Sequence, residues 1–437
     1  MDELSIAARA AVELGKKHGA SDVFATASGD RSVEFQMRDG KLERTKEATS
    51  RGLSLRVWAE GRYSTNSTTD LRPDHLDAFV AECVAITRAL EVDPMRAVPD
   101  PALFAGRSEA DLQLVDGSVR EVSREQRMTW LGEIDARIAG KDKVISATSN
   151  TWDGQYAGAM ASSNGFDGGW ESTSVGWSAS VTVQDAGEAR PEGDWWGDAL
   201  HLSDLPDRGA VGDEALRRAH LRLGSVRGPS KKGLMIVENV AAGRLIGALL
   251  APATGASVQQ GRSFWKGKVG QKLLSEKLVI DDDPLLVRGP SSRRFDSDGI
   301  AAKRMPLVAG GALNNLYVDT YYGKKLGQAP TTGGASNRVL GLGARGLEAI
   351  VKDAPDAILV TSWLGGNSDP TTGDFSFGMR GHLVKDGVIG APVGEMNVTG
   401  NLLTLFAGLT EVGNDVWLAS STRVPTLVFD GVQFSGT

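Results

Sequence analysis

Five histidines and a single cysteine are the side chains of this 437-residue chain best suited to nucleophilic, acid–base or metal chemistry, and the sequence scatters them. The histidines stand at His18, His75, His201, His220 and His382. His18 and His75 fall on or beside helices at polar positions and are expected to face solvent. His382 follows the run Thr371-Thr-Gly-Asp-Phe-Ser-Phe-Gly378, so Asp374, Ser376 and His382 supply the residue types of a Ser-His-Asp triad. No Gly-x-Ser-x-Gly elbow accompanies the serine, however. Cys83 lies on the apolar face of a predicted helix, where a buried structural thiol is expected. One cysteine also excludes an internal disulfide framework and a cysteine-rich zinc site. The acidic run Asp281-Asp282-Asp283-Pro284 lacks the alternating oxygen ligands of a calcium loop and reads as a turn. Phe295-Asp-Ser-Asp-Gly299 comes nearer to such a loop and reads as a structural Asp-Gly corner.

The elements that must position these residues are legible from periodicity. Residues 2–19 form an amphipathic helix with Leu4, Ala7, Ala11 and Leu14 on one face and Gly19 as its C-cap. Strands follow around Val33–Met37 and Leu53–Trp58, the first closing at the hairpin dipeptide Asp39-Gly40. Pro73 opens a second helix whose face collects Leu76, Phe79, Val80, Cys83 and Ile86. An αββα unit is therefore expected over residues 1–93. Pro94, Pro99 and Pro101 mark a linker at the start of a central α+β unit, residues 94–226. Its helix begins near Ser123, three residues before Gln126, which is a capping-box spacing. Met128, Leu131, Ile134 and Ile138 form its apolar face. Strands are expected from Val144 to Val183, followed by an acidic, tryptophan-rich loop over 185–200. Beyond Gly228-Pro229, a short apolar run (Leu234–Val237) and a helix (Asn239–Leu250) introduce the last unit, residues 227–437. There, strands separated by Asp298-Gly299, Asp386-Gly387 and Asp430-Gly431 turns predict a curved antiparallel sheet or barrel with embedded helices. The fold class is α+β.

Composition narrows the function classes. Apolar residues make up 41% and charged residues 24%, ordinary for a globular protein, and the length suits two to four domains at about 100–200 residues each. A formal net charge of −7, with only short, scattered basic pairs such as Lys231-Lys232, Arg293-Arg294 and Lys324-Lys325, argues against nucleic acid. No window approaches the ~18 uninterrupted apolar residues of a membrane span. The acidic N-terminus lacks an apolar core, so it does not read as a secretory signal. A cytoplasmic location is expected. The 54 glycines show no collagen-like period and suit a β-rich chain with many tight corners.

One long, ordered segment carries a family likeness. Gly365 to Asp415 contains the Thr371–Gly378 turn, the Asp386-Gly387 hairpin, Pro392-Val393 and the run Val398-Thr-Gly-Asn401 that opens a short apolar segment. Upstream, MRDGKLERTKEATSRGLSLRVWAEGRYSTNSTTDL and SSRRFDSDGIAAKRMPLVAGGALNNLYVDTYYGKKLG continue the same pattern. Together these resemble the TldD/PmbA family, bacterial and archaeal proteins linked to proteolysis of ribosomally made peptides. Glu395-Met396 and Val412-Gly413-Asn414-Asp415 resemble its PmbA/TldE branch more than its TldD branch.

Catalytic members of that family carry a His-Glu-x-x-x-His zinc helix and a further cysteine ligand near the C-terminus. In such a helix two imidazoles grip one zinc ion while the glutamate acts on a metal-bound water. No histidine of this chain precedes a glutamate. Registered on the family's internal glycine at Gly247, the comparable helix Asn239–Leu250 places Gly243 and Ala248 at the histidine positions and Arg244 at the glutamate. Leu418–Val424, the region matching the cysteine, contains none. The resemblance therefore implies a chain without catalytic residues or metal of its own. It would be a PmbA/TldE-like subunit that packs on a TldD-type zinc subunit and encloses a cleft for unfolded or leader peptides, with zinc expected in the partner. Arg244, Thr371, Gly373, Asp374 and Ser376 are the candidate cleft residues. The alternative is a homodimeric peptide-binding or regulatory protein without catalysis.

Overall fold

The computed structural model describes residues 2–436. Its N-terminal half is built on one antiparallel sheet of six strands. These are β1 (Asp22–Arg38), β2 (Lys41–Ala59), β3 (Arg62–Thr68), β4 (Val144–Ser162), β5 (Asp167–Val183) and β6 (Glu192–Ala199), in the spatial order β3-β2-β1-β4-β5-β6. Residues 1–93 and 94–226 thus contribute three strands each, joined where β1 pairs with β4 from Phe24↔Ser162 to Arg38↔Thr148. Helices α1 (Asp2–Lys17) and α2 (Pro73–Arg88) cover one half. Ala7, Ala8 and Ala11 of α1 and Val80 and Cys83 of α2 meet Val23, Leu55 and Val57 there. Helices α3 (Arg124–Ile138) and α4 (Arg208–His220) cover the other half through Trp130, Ile134, Val211 and Ala215.

Several expectations change in detail. The first unit gains a third strand, β3, because the Glu60-Gly61 turn (φ 52° and 76°) folds the chain straight back onto β2. Ile86, expected on the apolar face of α2, is 44% exposed. Residues 192–199, expected within a loop, form the edge strand β6. Gly193 and Gly197 allow this, since a Cβ there would strike the α4 backbone and Pro206. The acidic run Asp281–Asp283 lies in a short strand, Ile280–Asp283, with Pro284 just beyond it. Asp430-Gly431 is a bulge within one strand, where Gly431 takes φ 68°.

The C-terminal unit contains a closed barrel of five strands: β7 (Lys231–Val237), β8 (Asp356–Ser368), β9 (Asp374–Lys385), β10 (Val388–Asn401) and β11 (Leu427–Ser435). β7 and β8 run parallel and the other neighbours antiparallel. Pairing of Asn397–Thr399 with Gln433–Ser435 closes the ring. Closure leaves these strands no free edge. Helix α5 (Asn239–Leu250) follows β7, and Leu245, Ile246 and Leu249 join Phe375, Phe377, Phe406 and Phe434 in the largest core. A smaller five-stranded sheet includes Ile280–Asp283, Met305–Ala309 and Asn337–Leu340. Among the described residues, no helix is long and apolar enough to cross a membrane.

Candidate functional site

Helix α5 starts at a firmly held point. Glu238, just before it, is nearly buried, pairs with Arg218 and receives the helix amides of Ala241 and Ala242 on its backbone carbonyl. Its carboxylate also sits favourably at the positive end of the helix dipole. Ala241, Ala242, Leu245, Ile246, Leu249 and Leu250 are buried, whereas Val240, Gly243, Arg244, Gly247 and Ala248 form a half-exposed stripe. The positions that sequence reasoning assigned to a degenerate zinc helix thus share one accessible face. Nothing lies within 4 Å of where a Cβ would stand at Gly243 or Gly247. Packing therefore does not require glycine at either place, although each glycine weakens the helix by about 1 kcal/mol relative to alanine.

Arg244 turns away from that open stripe toward the barrel wall. Its Nη2 donates to the carbonyls of Gly365 and Gly366, at 2.8 and 2.9 Å, and its guanidinium lies over Phe377. Gly365 and Gly366 take φ 109° and 89° and form a bulge in β8, opposite Phe377 of β9. A Cβ at Gly366 would fall 2.0 Å from the Ser376 carbonyl. Ser376 itself is exposed and pairs with Asn367 beside the bulge. The structure thus brings Arg244 and Ser376 to one irregularity of the barrel.

Thr371, Gly373 and Asp374 belong to the β8–β9 hairpin end instead. Asp374 Oδ1 accepts from Asn401 Nδ2 at 2.9 Å, and its Oδ2 accepts from the Thr372 hydroxyl. Those bonds, Asn401's first, hold the exposed carboxyl below its usual range. Gly373 (φ 86°) donates to Asp369 and accepts from Leu402 through its backbone. The Thr371 amide donates to Asp369 Oδ1. The turn's own residues make some of these bonds, and Asn401 and Leu402, at the end of β10, make the others.

The histidines and the thiol stay apart. His18 meets Asp77, His75 meets Asp70, and His201 and His220 meet the carbonyls of Gln113 and Asp142. His18 is only 25% exposed, less than expected, because Asp77 of α2 draws it in. His382 is buried, which holds it below its ordinary pKa. It stands six residues from Ser376 on β9, roughly 20 Å along a strand, and no triad forms. Burial, followed by the Glu82 charge, pushes the Cys83 thiol up to about 11, so it is inert near neutral pH. Asp282 is buried and accepts from Tyr317 and Ser336. Asp296 accepts from the amides of Asp298, Ile300 and Gly333, fixing the corner at Gly299. Among the described residues, no three His, Cys, Asp or Glu side chains gather as a metal site would need.

Sequence reasoning missed two cavities. The larger, about 940 Å³, opens between the six-stranded sheet and loops of the C-terminal unit, lined by Leu112, Met160, Trp170, Phe295 and Arg293 among others. Its walls come from segments far apart in sequence, so no local pattern announces it. The second, about 450 Å³, contains several arginines.

The six-stranded sheet, the closed barrel and the helix beside it make up an α+β chain. Family models described as PmbA/TldA metallopeptidase domain 1, central domain and C-terminal domain match residues 25–87, 117–223 and 230–436. The chain belongs to the PmbA/TldD family. It is 28% identical to metalloprotease PmbA of Escherichia coli O157:H7, over 99% of this chain and 96% of that protein. Among solved structures, a putative modulator of DNA gyrase from Bacteroides thetaiotaomicron superposes with a TM-score of 0.96 at 35% identity over the full length of both chains. TldE from Thermococcus kodakarensis shares the fold, with a TM-score of 0.87 at 18% identity over 98% of this chain and all of that one. The family name implies a metal, and the residues at these α5 positions do not fit one. Gly243 and Ala248 offer no donor atom, and Arg244 is a cation already bound to two carbonyls.

Proposed function

We propose that this chain is the PmbA/TldE-type subunit of a two-component metallopeptidase, and that it contributes wall rather than chemistry to the peptide cleft. The reading rests on one observation: the half-exposed stripe of α5 has space for side chains at Gly243 and Gly247 yet carries no zinc ligand or base. A TldD-type partner would supply zinc and the nucleophilic water. Here, Arg244 fixes the β8 bulge, and exposed Ser376 lies beside it where an extended peptide backbone can be met by hydrogen bonds that ignore side-chain identity. Unfolded or leader peptides are the substrates such a cleft admits. The assembly is a heterodimer or larger complex, with no role for membrane or nucleic acid.

The test mixes the purified chain with a TldD-type partner and an unstructured peptide. Cleavage is expected only with both proteins present, and a chelator should abolish it. Cleavage by this chain alone would exclude the proposal. A stable homodimer that ignores the partner and still binds peptide would favour a binding protein instead.

A further inference from the structure

The smaller cavity lies where the end of the central unit meets the outside of the barrel. The segments Asp185–Pro191 and Arg222–Arg227 face Thr361 and Leu364 of β8, Arg380 and His382 of β9, and Val393 of β10. Four arginines line it against two carboxylates, and both carboxylates are engaged. Asp185 accepts from the amides of Ala186 and Gly224, and Glu395 pairs with Arg227 at 2.8 Å. Arg222 is half-buried and donates to the Glu192 carbonyl and to Ser362 Oγ. Arg380, also half-buried, and exposed Arg190 make no side-chain hydrogen bond or ion pair among the described residues. Burial, then the neighbouring Arg380 charge, holds the Arg222 guanidinium below its usual pKa against the opposing pull of Asp194 and Glu192.

Like charges brought together in a partly desolvated pocket raise the free energy of the unliganded chain. A pocket serving only to join two units would be expected to carry opposed charges. Guanidinium groups match a carboxylate in shape and can hold it through paired hydrogen bonds. Leu364, 44% exposed, adds an apolar wall one residue before the Gly365-Gly366 bulge that Arg244 fixes. A free inorganic anion would gain nothing from that wall. We propose that Arg222, Arg380 and Arg190 form a carboxylate-binding subsite for an acidic side chain of an extended peptide. This deepens the proposed function and rests on it.

The experiment titrates the full-length chain by calorimetry with an unstructured, C-terminally amidated peptide containing several glutamates, and with a twin in which each is glutamine. The glutamate peptide should bind about tenfold or more tightly, and the difference should shrink as salt rises. Arg380→Gln should abolish the difference, and Arg380→Lys should retain part of it. Arg380 makes no side-chain bond, so neither variant should unfold below the wild-type temperature, and Arg380→Gln, which relieves the charge beside Arg222, should unfold at that temperature or slightly above it. Equal binding of the twins, a difference that survives Arg380→Gln, or failure of both peptides to bind would overturn the subsite. So would tight binding of inorganic phosphate that the glutamate peptide cannot displace. In each of those cases the subunit reading still stands or falls by partner-dependent cleavage.

Discussion

The guanidinium of Arg244 rests 4.4 Å from the centroid of the Phe377 ring while it holds the carbonyls of Gly365 and Gly366. One side chain of α5 thus fixes a bulge between two barrel strands. The two carbonyls belong to exposed residues and can return to water, so the stability cost of losing Arg244 is modest. Arg244→Ala should destabilise by about 1–2 kcal/mol, read from urea unfolding. Partner-dependent cleavage should fall further, by about tenfold or more, because a misplaced wall degrades substrate alignment. Unchanged cleavage would remove the bulge from the functional site.

Gly243 and Ala248 share the accessible stripe of α5. If that stripe retains the geometry of a zinc helix, Gly243→His with Ala248→His should create weak zinc binding that the wild type lacks. Two imidazoles at Zn–N distances near 2.0–2.1 Å leave the rest of the tetrahedral shell to water. Competition against a chromophoric chelator measures the gain. An inert double variant would mean that the helix no longer presents these positions together.

Much of this frame is written locally. Ser123 and Gln126 form the reciprocal capping box that their spacing predicts, and Asp39-Gly40 and Asp386-Gly387 turn with positive φ at both residues. What stayed hidden depends on tertiary context. The pairing of β10 with β11 that closes the barrel joins residues over thirty positions apart and has no sequence signal of its own. β6 was obscured because its glycines answer to α4 and Pro206, not to strand propensity. Of the candidate cleft residues, Arg244 comes from α5 and the others from the Thr371–Gly378 motif. The fold sets Arg244 and Ser376 by the bulge and Thr371–Asp374 at the neighbouring hairpin end, where Asn401 of β10 ties down Asp374. The arginine pocket gathers residues from five segments, and Arg222 and Arg380 were unremarkable in each.

Arg56 of β2 and Asp298 of the C-terminal unit pair at 2.6 Å, largely out of solvent, and Asp298 also accepts from the Thr320 amide and hydroxyl. Burial works to raise the Asp298 pKa, but Arg56 and Thr320 outweigh it and the net shift is downward. A depressed carboxyl contributes stability that is present above its unfolded value, near 3.9, and lost as pH falls through the folded value. Adjacent Asp296 is raised, first by burial and then by the Asp298 charge, so its contribution has the opposite sign. Asp298→Asn should therefore cost about 1–3 kcal/mol at pH 7 and reduce the acid-side decline seen in thermal unfolding from pH 7 to 3. An unaltered pH profile would show that this bridge between units is electrostatically neutral in effect.

Among the described residues, Arg127 of α3 and Asp153 of β4 form the most deeply buried ion pair, with side chains 5% and 1% exposed and an Nε–Oδ2 distance of 2.6 Å. The pair is incompletely satisfied, since Arg127 Nη2 and Asp153 Oδ1 lack a protein partner. Desolvation of both ions therefore opposes their attraction, and the pair as a whole adds little net stability. Removing one member is a different matter, because it strands a buried charge. Asp153→Ala should cost about 3–5 kcal/mol, whereas the double variant Arg127→Met with Asp153→Leu should recover most of that loss. Denaturant unfolding of Arg127→Met, Asp153→Leu and the double variant measures the coupling. Additive losses would show that each side chain acts through its own packing, and that the charges on α3 and β4 are held for something other than each other.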